Sequence, residues 1–344
     1  MSIDPANELL DPRIVGYLSR RKKDGLRVRS VTALAGDAST RSYYRLNLSG
    51  DPEQRTVVLA LLPKPFDPEH EPFLNVARLF RKMQVRVPKI HHVSGPEGIL
   101  LLEDCGDGLL QTLIESADAK ARKTLYQQSI AILIQIQERG AALESTEYLP
   151  YGIVFDREKL HWELSFFQQH YLEGFRHASL DATELEALDR AFWSIATELA
   201  ARPRVLCHRD YHSRNLLLVG SELVVIDFQD ARMGPVSYDL VSLLRDSYVE
   251  LDPEFVEEMK EQFLLATSTD RRSLEEEFDL TALQRNLKAL GTFGNQIAVR
   301  GKLFYESYLP YTLEMVRANL ARHSARAEWD GLRRVLAAHL PEMT

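Results

Sequence analysis

Cysteine is scarce in this sequence, and long apolar stretches are missing. Only two cysteines, Cys105 and Cys207, occur among 344 residues, which excludes a disulfide-stabilised scaffold and a zinc module built on several cysteines. The longest apolar runs, such as Val57–Leu62, are far shorter than the roughly 20 residues of a membrane-spanning helix. The first residues, Met1–Pro5, have no basic segment followed by an apolar one, so no secretory signal is expected. These absences predict a reduced, cytoplasmic protein without a membrane partner.

An excess of basic charge is also missing. The chain has 50 acidic and 42 basic residues, a net charge of −8, which argues against a general nucleic-acid binder. Hydrophobic residues make up 45% and charged residues 27%, as in ordinary globular proteins. The length favours two domains or lobes with a large core. We expect a monomer without a nucleic-acid partner.

The first third of the chain has a strand-type pattern. Short runs of aliphatic and aromatic residues are broken by Gly, Pro and Asp, which is typical of strands and turns; these runs are Val28–Leu34, Tyr43–Leu48, Thr56–Leu62 and Ile99–Leu102. One helical pattern, Glu71–Lys82, lies among them. An acidic, Gly-containing stretch at Glu103–Gly108 then breaks both periods. We therefore place an N-terminal lobe at 1–104 and a C-terminal lobe at 105–344.

Helical periodicity dominates the C-terminal lobe. Apolar residues at helical spacing predict three helices, on Tyr126–Ile134, Leu160–Tyr171 and Leu185–Leu199. Short strand-like runs follow at Val205–Cys207, Leu216–Val219 and Leu223–Ile226. Helical patterning returns from about Val236. The pattern predicts a helical lobe with a small β insert.

The densest polar cluster lies on this insert. It reads His-Arg-Asp-Tyr-His-Ser-Arg-Asn over His208–Asn215, and Asp-Phe-Gln-Asp follows at Asp227–Asp230. A hairpin would bring Asn215 and Asp227 to neighbouring positions, so that their oxygens and those of Asp210 converge. Carboxylates together with phosphate oxygens are typical ligands of Mg²⁺. Asp210 could instead accept a hydroxyl proton and orient the nucleophile.

The order and spacing of these residues match H-R-D-x-x-x-x-N followed by D-F-x, a phosphoryl-transfer pattern. The spacing of His208 and His212 also occurs in zinc proteases, but that site needs a helix and a Glu where Arg209 stands. Buried Asp and His often only tie loops together, and we assign that structural role to His208 and Asp239.

The nucleotide site is less sharply defined by sequence. The chain has no G-x-x-x-x-G-K-[ST], which excludes a P-loop protein. A small-residue loop between the first two strands could lay backbone N–H groups over phosphates; its candidate residues are Gly36, Ala38, Ser39, Thr40 and Arg41. The third strand lacks the lysine of a protein kinase. Lys64, Arg41 and Arg45 are nearby cations, and Glu71 could pair with one, although an exposed Glu at a helix start is the simpler interpretation.

Taken together, the motifs resemble the aminoglycoside phosphotransferase/choline kinase-like superfamily. His208–Asn215, Asp227 and the Gly-Pro-x-x-Tyr-Asp-Leu run ending at Leu240 carry this resemblance. Further segments are similar to the bacterial anomeric kinases for N-acetylmuramate and N-acetylglucosamine of cell-wall recycling; they are Gly36–Arg45, Leu100–Gly106, Asp227–Ala231, Val241–Asp246, Arg300–Lys302 and Tyr308–Pro310. The resemblance spans roughly residues 30–320.

The resemblance implies an α+β, protein-kinase-like bilobal fold, with an antiparallel N-terminal sheet lobe and a larger helical lobe. It implies ATP-dependent, Mg²⁺-assisted phosphorylation of a sugar's anomeric hydroxyl to the 1-phosphate. Asp210 would be the catalytic aspartate, and Asn215 and Asp227 would hold the metal. The backbone at Leu102 and Glu103 would bind adenine. Arg214 could stabilise the transferred oxygens or pair with Asp230.

Other functions are compatible with the same residues. A kinase of the same fold could act on an aminoglycoside, choline or homoserine, and a nucleotide-binding pseudokinase would explain the missing lysine. A choline site needs an aromatic cage, but the available aromatics have the spacing of helix core; they are Trp162, Phe166, Phe167, Tyr171 and Trp193. Cations that could hold a sugar carboxylate are Arg232, Arg300 and Lys302.

Overall fold

A computed structural model describes residues 10–34, 41–49 and 56–343. The strands are β1 (Val28–Leu34), β2 (Ser42–Leu48), β3 (Thr56–Leu61), β4 (Ile90–Ser94), β5 (Ile99–Glu103), β6 (Arg204–Cys207), β7 (Leu216–Val219), β8 (Glu222–Val225) and β9 (Arg232–Pro235). The α-helices are α1 (Pro12–Lys23), α2 (Pro72–Lys82), α3 (Leu110–Ser116), α4 (Ala119–Ala142), α5 (Arg157–Phe167), α6 (Ala182–Ala200), α7 (Tyr238–Leu244), α8 (Pro253–Ala266), α9 (Arg271–Ala298), α10 (Leu309–Arg322) and α11 (Asp330–His339). A π-helix, Gln168–Phe175, continues α5.

These elements form two compact units. The N-terminal unit comprises the chain up to Gly108 together with Leu217–Gln229, and the helical unit comprises Leu109–Leu216 and the chain from Asp230 onward. The β7–β8 hairpin joins the N-terminal unit because the amide of Leu218 donates to the Gly108 carbonyl and that of Val225 to the Arg86 carbonyl, both at 2.8 Å. The expected lobes, 1–104 and 105–344, place this hairpin in the C-terminal lobe. A single boundary along the sequence cannot assign a later segment, Leu217–Gln229, to the N-terminal unit.

The N-terminal unit is built on a five-stranded antiparallel sheet of order β1-β2-β3-β5-β4. The four predicted strands and the helix after β3 are confirmed to within two residues. Helix α1, which the sequence analysis missed, buries Ile14 and Tyr17 against the sheet residues Leu46, Leu59 and Leu101. Its start does carry a signal, because Asp11 caps the amide of Arg13 at 2.8 Å and Pro12 takes the first helical position.

A large apolar core lies within the helical unit. The predicted faces on α5 and α6 are confirmed, since Leu160, Leu164, Leu188 and Ile195 are completely buried. Helices α5 and α6 share this core with α9, α10 and α11. Strand β9 was not predicted, because Arg-Met-Gly-Pro lacks a strand pattern, yet it pairs antiparallel with β6.

Helix α9 lies unusually close to α5 and the π-helix. A Cβ at Gly291 would lie 2.8 Å from the Cα of Phe167, and one at Gly294 would lie 2.4 Å from the carbonyl oxygen of His170. Both distances are too short for a side chain, so glycine permits this approach of two backbones. In the described parts of the chain, no helix combines the length and apolarity needed to cross a bilayer.

Candidate active site

The loop His208–Asn215 leaves β6 in the helical unit and is held from below by two buried carboxylates. Asp239, at the start of α7, accepts the amides of His208 at 2.5 Å and Arg209 at 3.0 Å. Asp246 accepts the amide of Ser213 at 2.9 Å. Burial raises the pKa of both Asp239 and Asp246 above the ordinary value, although these hydrogen bonds oppose the rise. The structural role predicted for Asp239 is confirmed, and Asp246 shares it.

Asp210 faces three cations within the helical unit. The Lys288 ammonium lies 3.0 Å from its Oδ1, while Arg285 and Arg209 approach its carboxylate at 3.7 Å. Burial opposes ionisation of Asp210, but Lys288, Arg209 and Arg285 together hold its pKa well below the ordinary value. Asp210 is therefore an ionised carboxylate at neutral pH, and its side chain remains 27% exposed.

The loop backbone is strained next to Asp210. Arg209 has φ of 87°, a left-handed conformation that is costly for a side chain other than glycine. Arg285 stabilises it by donating from Nη1 to the Arg209 carbonyl at 2.7 Å. Asp227, in the N-terminal unit, also has positive φ, at 61°. Such strain persists where surrounding contacts enforce it, and it is concentrated at functional sites.

Each predicted metal ligand presents a suitable oxygen within its own unit. Asn215 donates its Nδ2 to the Asp210 carbonyl at 2.8 Å, which leaves its Oδ1 as the acceptor. Asp227 accepts from Gln229 Nε2 at 2.8 Å through Oδ1, and its other oxygen adds further acceptor capacity. A carboxylate and an amide oxygen are the hard donors that Mg²⁺ takes. The chemistry of each side chain therefore fits the predicted metal.

The guanidinium of Arg214 stacks on an aromatic ring. Its guanidinium lies 4.7 Å from the ring centroid of Tyr248. Asp230, considered above as its partner, forms ion pairs with Arg209 at 3.2 Å and Arg232 at 3.8 Å. The catalytic role of Arg214 stays a prediction.

In the N-terminal unit, Arg41 pairs with the helix acid Glu71 at 3.3 Å. The expectation of an exposed Glu71 is wrong, because its side chain is only 9% exposed and also caps the amide of Phe73. The alternative that Glu71 pairs with one of the nearby cations is confirmed, and the cation is Arg41, which precedes β2 in the chain. The remaining predicted phosphate-loop residues lie outside the described residues; they are Gly36, Ala38, Ser39 and Thr40.

The other nearby cation, Arg45, is bound to carboxylates. Its guanidinium binds Asp104 at 2.7 Å and Asp107 at 2.8 Å. At the predicted adenine edge, Leu102 is buried in β5 opposite Val58. The amide of Glu103 donates to the Lys89 carbonyl at 2.8 Å, so this donor is already used within the N-terminal unit.

Three charged residues at the Asp210 site were missed by sequence analysis. Arg285 and Lys288 come from α9, and Glu163 comes from α5. Glu163 is 1% exposed and lies 3.7 Å from Lys159, 3.9 Å from Arg209 and 3.0 Å from Gln284. A signal was present, because Glu163 falls on the apolar stretch that begins at Leu160 and ends at Tyr171, where a charge is unexpected.

The aromatic residues weighed for a choline cage divide into two groups. Phe167 and Tyr171 are completely buried, as expected for core. Trp162 is 54% exposed, so the core interpretation is wrong for it. Phe166 lies between Trp162 and His170, with ring centroids 5.6 Å and 4.0 Å away.

Comparison with known proteins assigns the class. Residues 30–276 match the model of the phosphotransferase enzyme family (APH), which covers more than half of the chain. The chain belongs to this family and is a small-molecule kinase. The ADP-bound aminoglycoside phosphotransferase APH(2'')-Ib is similar in fold, with a TM-score of 0.61 at 16% identity over 89% of this chain and 99% of its own. The choline/ethanolamine kinase family protein of Mesorhizobium loti gives 0.53 at 16% identity, over 90% and 92%.

More similar sequences narrow the class. The N-acetylmuramate/N-acetylglucosamine kinase of Pseudomonas aeruginosa is 31% identical, over 86% of this chain and 85% of its own length. The protein of the same name from Neisseria meningitidis is 29% identical, over 86% and 87%. The predicted bilobal, kinase-like fold class and the predicted family are thereby confirmed.

Proposed function

We propose that this protein phosphorylates the anomeric hydroxyl of N-acetylmuramate and N-acetylglucosamine with ATP. The observation that carries the proposal is Asp210, which lies 3.0 Å from the Lys288 ammonium on a loop whose amides are bound by Asp239, in a chain similar over most of its length to kinases named for these sugars. Peptidoglycan recycling in the cytoplasm, by a monomer, is the setting we propose for this activity.

The proposed reaction is an in-line displacement. The anomeric oxygen forms a bond to the γ-phosphorus, the bond from that phosphorus to the ADP oxygen breaks, and Asp210 accepts the hydroxyl proton. An anomeric hydroxyl is more acidic than a simple alcohol, so a carboxylate of low pKa suffices. Positioning and charge neutralisation supply most of the rate enhancement in such transfers. Lys288 beside Asp210 and Arg214 in the same loop are the cations we assign to this task.

Two residues would hold a divalent cation, Asn215 through Oδ1 and Asp227 through its carboxylate. A bound Mg²⁺ neutralises charge on the phosphate oxygens. At the nucleotide, we propose that Arg41, fixed by Glu71, substitutes for the missing lysine. The loop residues Gly36, Ala38, Ser39 and Thr40 would cover the phosphates, and the backbone near Leu102 and Glu103 would border adenine.

The test is ATP-dependent transfer of phosphate to each sugar with Mg²⁺, in wild-type protein and in Asp210→Asn. Acid lability of the product distinguishes a 1-phosphate from a stable phosphate ester at another hydroxyl. We expect turnover with both sugars and a loss of about 10³-fold in Asp210→Asn. Asp107→Asn, which alters an exposed carboxylate (79%), is the matched control and should keep its activity.

Three results would contradict the proposal. ATP consumption with choline, homoserine or an aminoglycoside, but with neither sugar, would assign another substrate to the same fold. A product stable to acid would place the phosphate elsewhere on the sugar. Binding of ATP without consumption in the presence of any acceptor would identify a pseudokinase.

A further inference from the structure

Two stripes of side chains run side by side in the helical unit, next to Asp210; all are partly buried except Trp162, which is exposed. On α5 and the π-helix the stripe consists of Lys159, Trp162, Phe166 and His170; on α9 it consists of Arg285, Lys288, Thr292 and Asn295. The close approach at Gly291 and Gly294 joins the two helices, and Asn295 bonds His170 across them at 3.1 Å. We call the surface formed by these eight residues the α5–α9 groove.

A buried acceptor lies beneath the groove. Glu163 is 1% exposed, and its Oε1 has no hydrogen-bond partner among the residues that the structure describes. Two further buried atoms, Arg209 Nε and Tyr238 Oη, also lack a hydrogen-bond partner among the described residues. Burial of unsatisfied polar atoms is costly, and native sites satisfy them with water or a ligand. These atoms therefore indicate where the polar groups of a ligand would be received.

Two interacting cations retain donor capacity here, Lys159 of the groove and Arg232 on β9 beside it. Lys159 Nζ lies 3.7 Å from Glu163 Oε1, beyond hydrogen-bond distance, and 3.8 Å from the ring centroid of Trp162. Arg232 donates Nε to the Asp230 carbonyl at 3.1 Å, and its side chain is 11% exposed. Burial lowers the pKa of both Lys159 and Arg232, and repulsion from Arg209 lowers it further. An added anion would relieve this repulsion.

We propose that the α5–α9 groove is a subsite for the acidic substituent of a sugar acid, with Lys159 and Arg232 binding the carboxylate and Glu163 accepting a hydroxyl or amide N–H of the sugar. Trp162 would cover an apolar sugar face. Of the two sugars proposed above, only N-acetylmuramate carries a carboxylate, on its lactyl ether. This subsite rests on the proposed function for the identity of its substrate. It assigns the residues that give the protein a preference for the acidic sugar.

The test is the preference between the two sugars, measured as equilibrium binding by calorimetry and as kcat/KM. Wild-type protein should prefer N-acetylmuramate in both. Lys159→Met and Arg232→Met should each lower the affinity and kcat/KM for N-acetylmuramate about 10- to 100-fold, as expected for loss of a charge-assisted hydrogen bond. The affinity and kcat/KM for N-acetylglucosamine should change less than about twofold. Lys159→Arg should restore much of the preference, and Lys120→Met, an exposed lysine on α4, should leave it unchanged.

The binding measurement separates this proposal from the proposed function. A preference for the acidic sugar that disappears in Lys159→Met supports the subsite even if neither sugar is phosphorylated. An equal loss of affinity for both sugars in Lys159→Met overturns the proposal, provided that thermal unfolding shows an intact fold. Equal binding of the two sugars by wild-type protein, or an unchanged preference in both Met variants, overturns it as well.

Discussion

Opposite charges are arranged differently in the two units. In the N-terminal unit they form small closed sets near the end of the sheet, such as Arg86 with Glu103 at 2.8 Å and Arg45 with Asp104 and Asp107. In the helical unit, Lys288 and Arg209 each interact with both Asp210 and Glu163. Closed sets hold neighbouring segments together at little cost. Shared charges keep a carboxylate ionised and keep cations available.

The difference has an energetic basis. An exposed pair gains little because water screens it, whereas a buried charge must be compensated by its surroundings. The helical unit supplies that compensation from three separate places, namely the loop after β6, α5 and α9. Removing one charged residue from the helical unit should therefore change the catalytic activity. Removing one from the N-terminal unit should change only the local stability.

The largest effect on stability is expected from Asp239→Ala. This change leaves the amides of His208 and Arg209 without their acceptor inside the protein, at a cost of about 3 kcal/mol in unfolding free energy. Asp118→Ala removes a comparable bond to Ala121, but at an exposed helix start, and should cost about 1 kcal/mol. Urea unfolding of both variants checks the difference. Equal losses would show that burial of the loop acceptor does not matter.

The next effect is on the pH profile of Lys288→Met. Lys288 is the strongest of the cations that lower the pKa of Asp210, so its removal should raise that pKa. The acidic limb of kcat/KM should then move to higher pH, and kcat at pH 7 should fall about tenfold or more. Lys288→Arg keeps the charge and should keep the wild-type limb. An unmoved limb in Lys288→Met would show that Lys288 does not set the ionisation of Asp210.

A smaller effect concerns His212 and acid stability. Burial lowers the pKa of His212 from 6.5 to about 3, so the unfolded chain takes up this proton at higher pH than the folded protein does. The contribution of neutral His212 to the unfolding free energy is therefore complete above pH 6.5. It is lost as the pH falls towards 3, at up to about 1.4 kcal/mol per pH unit. His212→Gln should flatten the decline in unfolding free energy between pH 7 and 5. An unchanged slope would rule out a neutral His212 in the folded protein at these pH values.

The smallest effect is expected from Arg86→Met. The Arg86–Glu103 pair is partly exposed, at 27% and 19%, so its loss should lower the unfolding free energy by about 1 kcal/mol or less and leave kcat unchanged within about twofold. Chemical unfolding and turnover at low and high salt measure this. A large loss of activity would remove the contrast between the two units.

Much of the fold followed from local patterns. Strand β1 was predicted at its observed bounds, and the apolar faces of α5 and α6 came from their spacing. Helix α1 and strand β9 were missed. Strand β9 has no strand pattern of its own and is held by pairing with β6 and by backbone hydrogen bonds of Met233 to Ile153 and Phe155. The π-helix after α5 was missed as well, because its apolar spacing there also fits an α-helix.

The sequence alone determined the reaction class, because H-R-D-x-x-x-x-N and D-F-x place their functional groups within one short stretch of chain. It also identified Asp239 as a structural acceptor. Only the tertiary structure decided what surrounds Asp210, since Lys288 and Glu163 are separated from it by 78 and 47 residues. Burial and distance in space set the charge of a carboxylate, and neither quantity can be obtained from the spacing of residues along a chain.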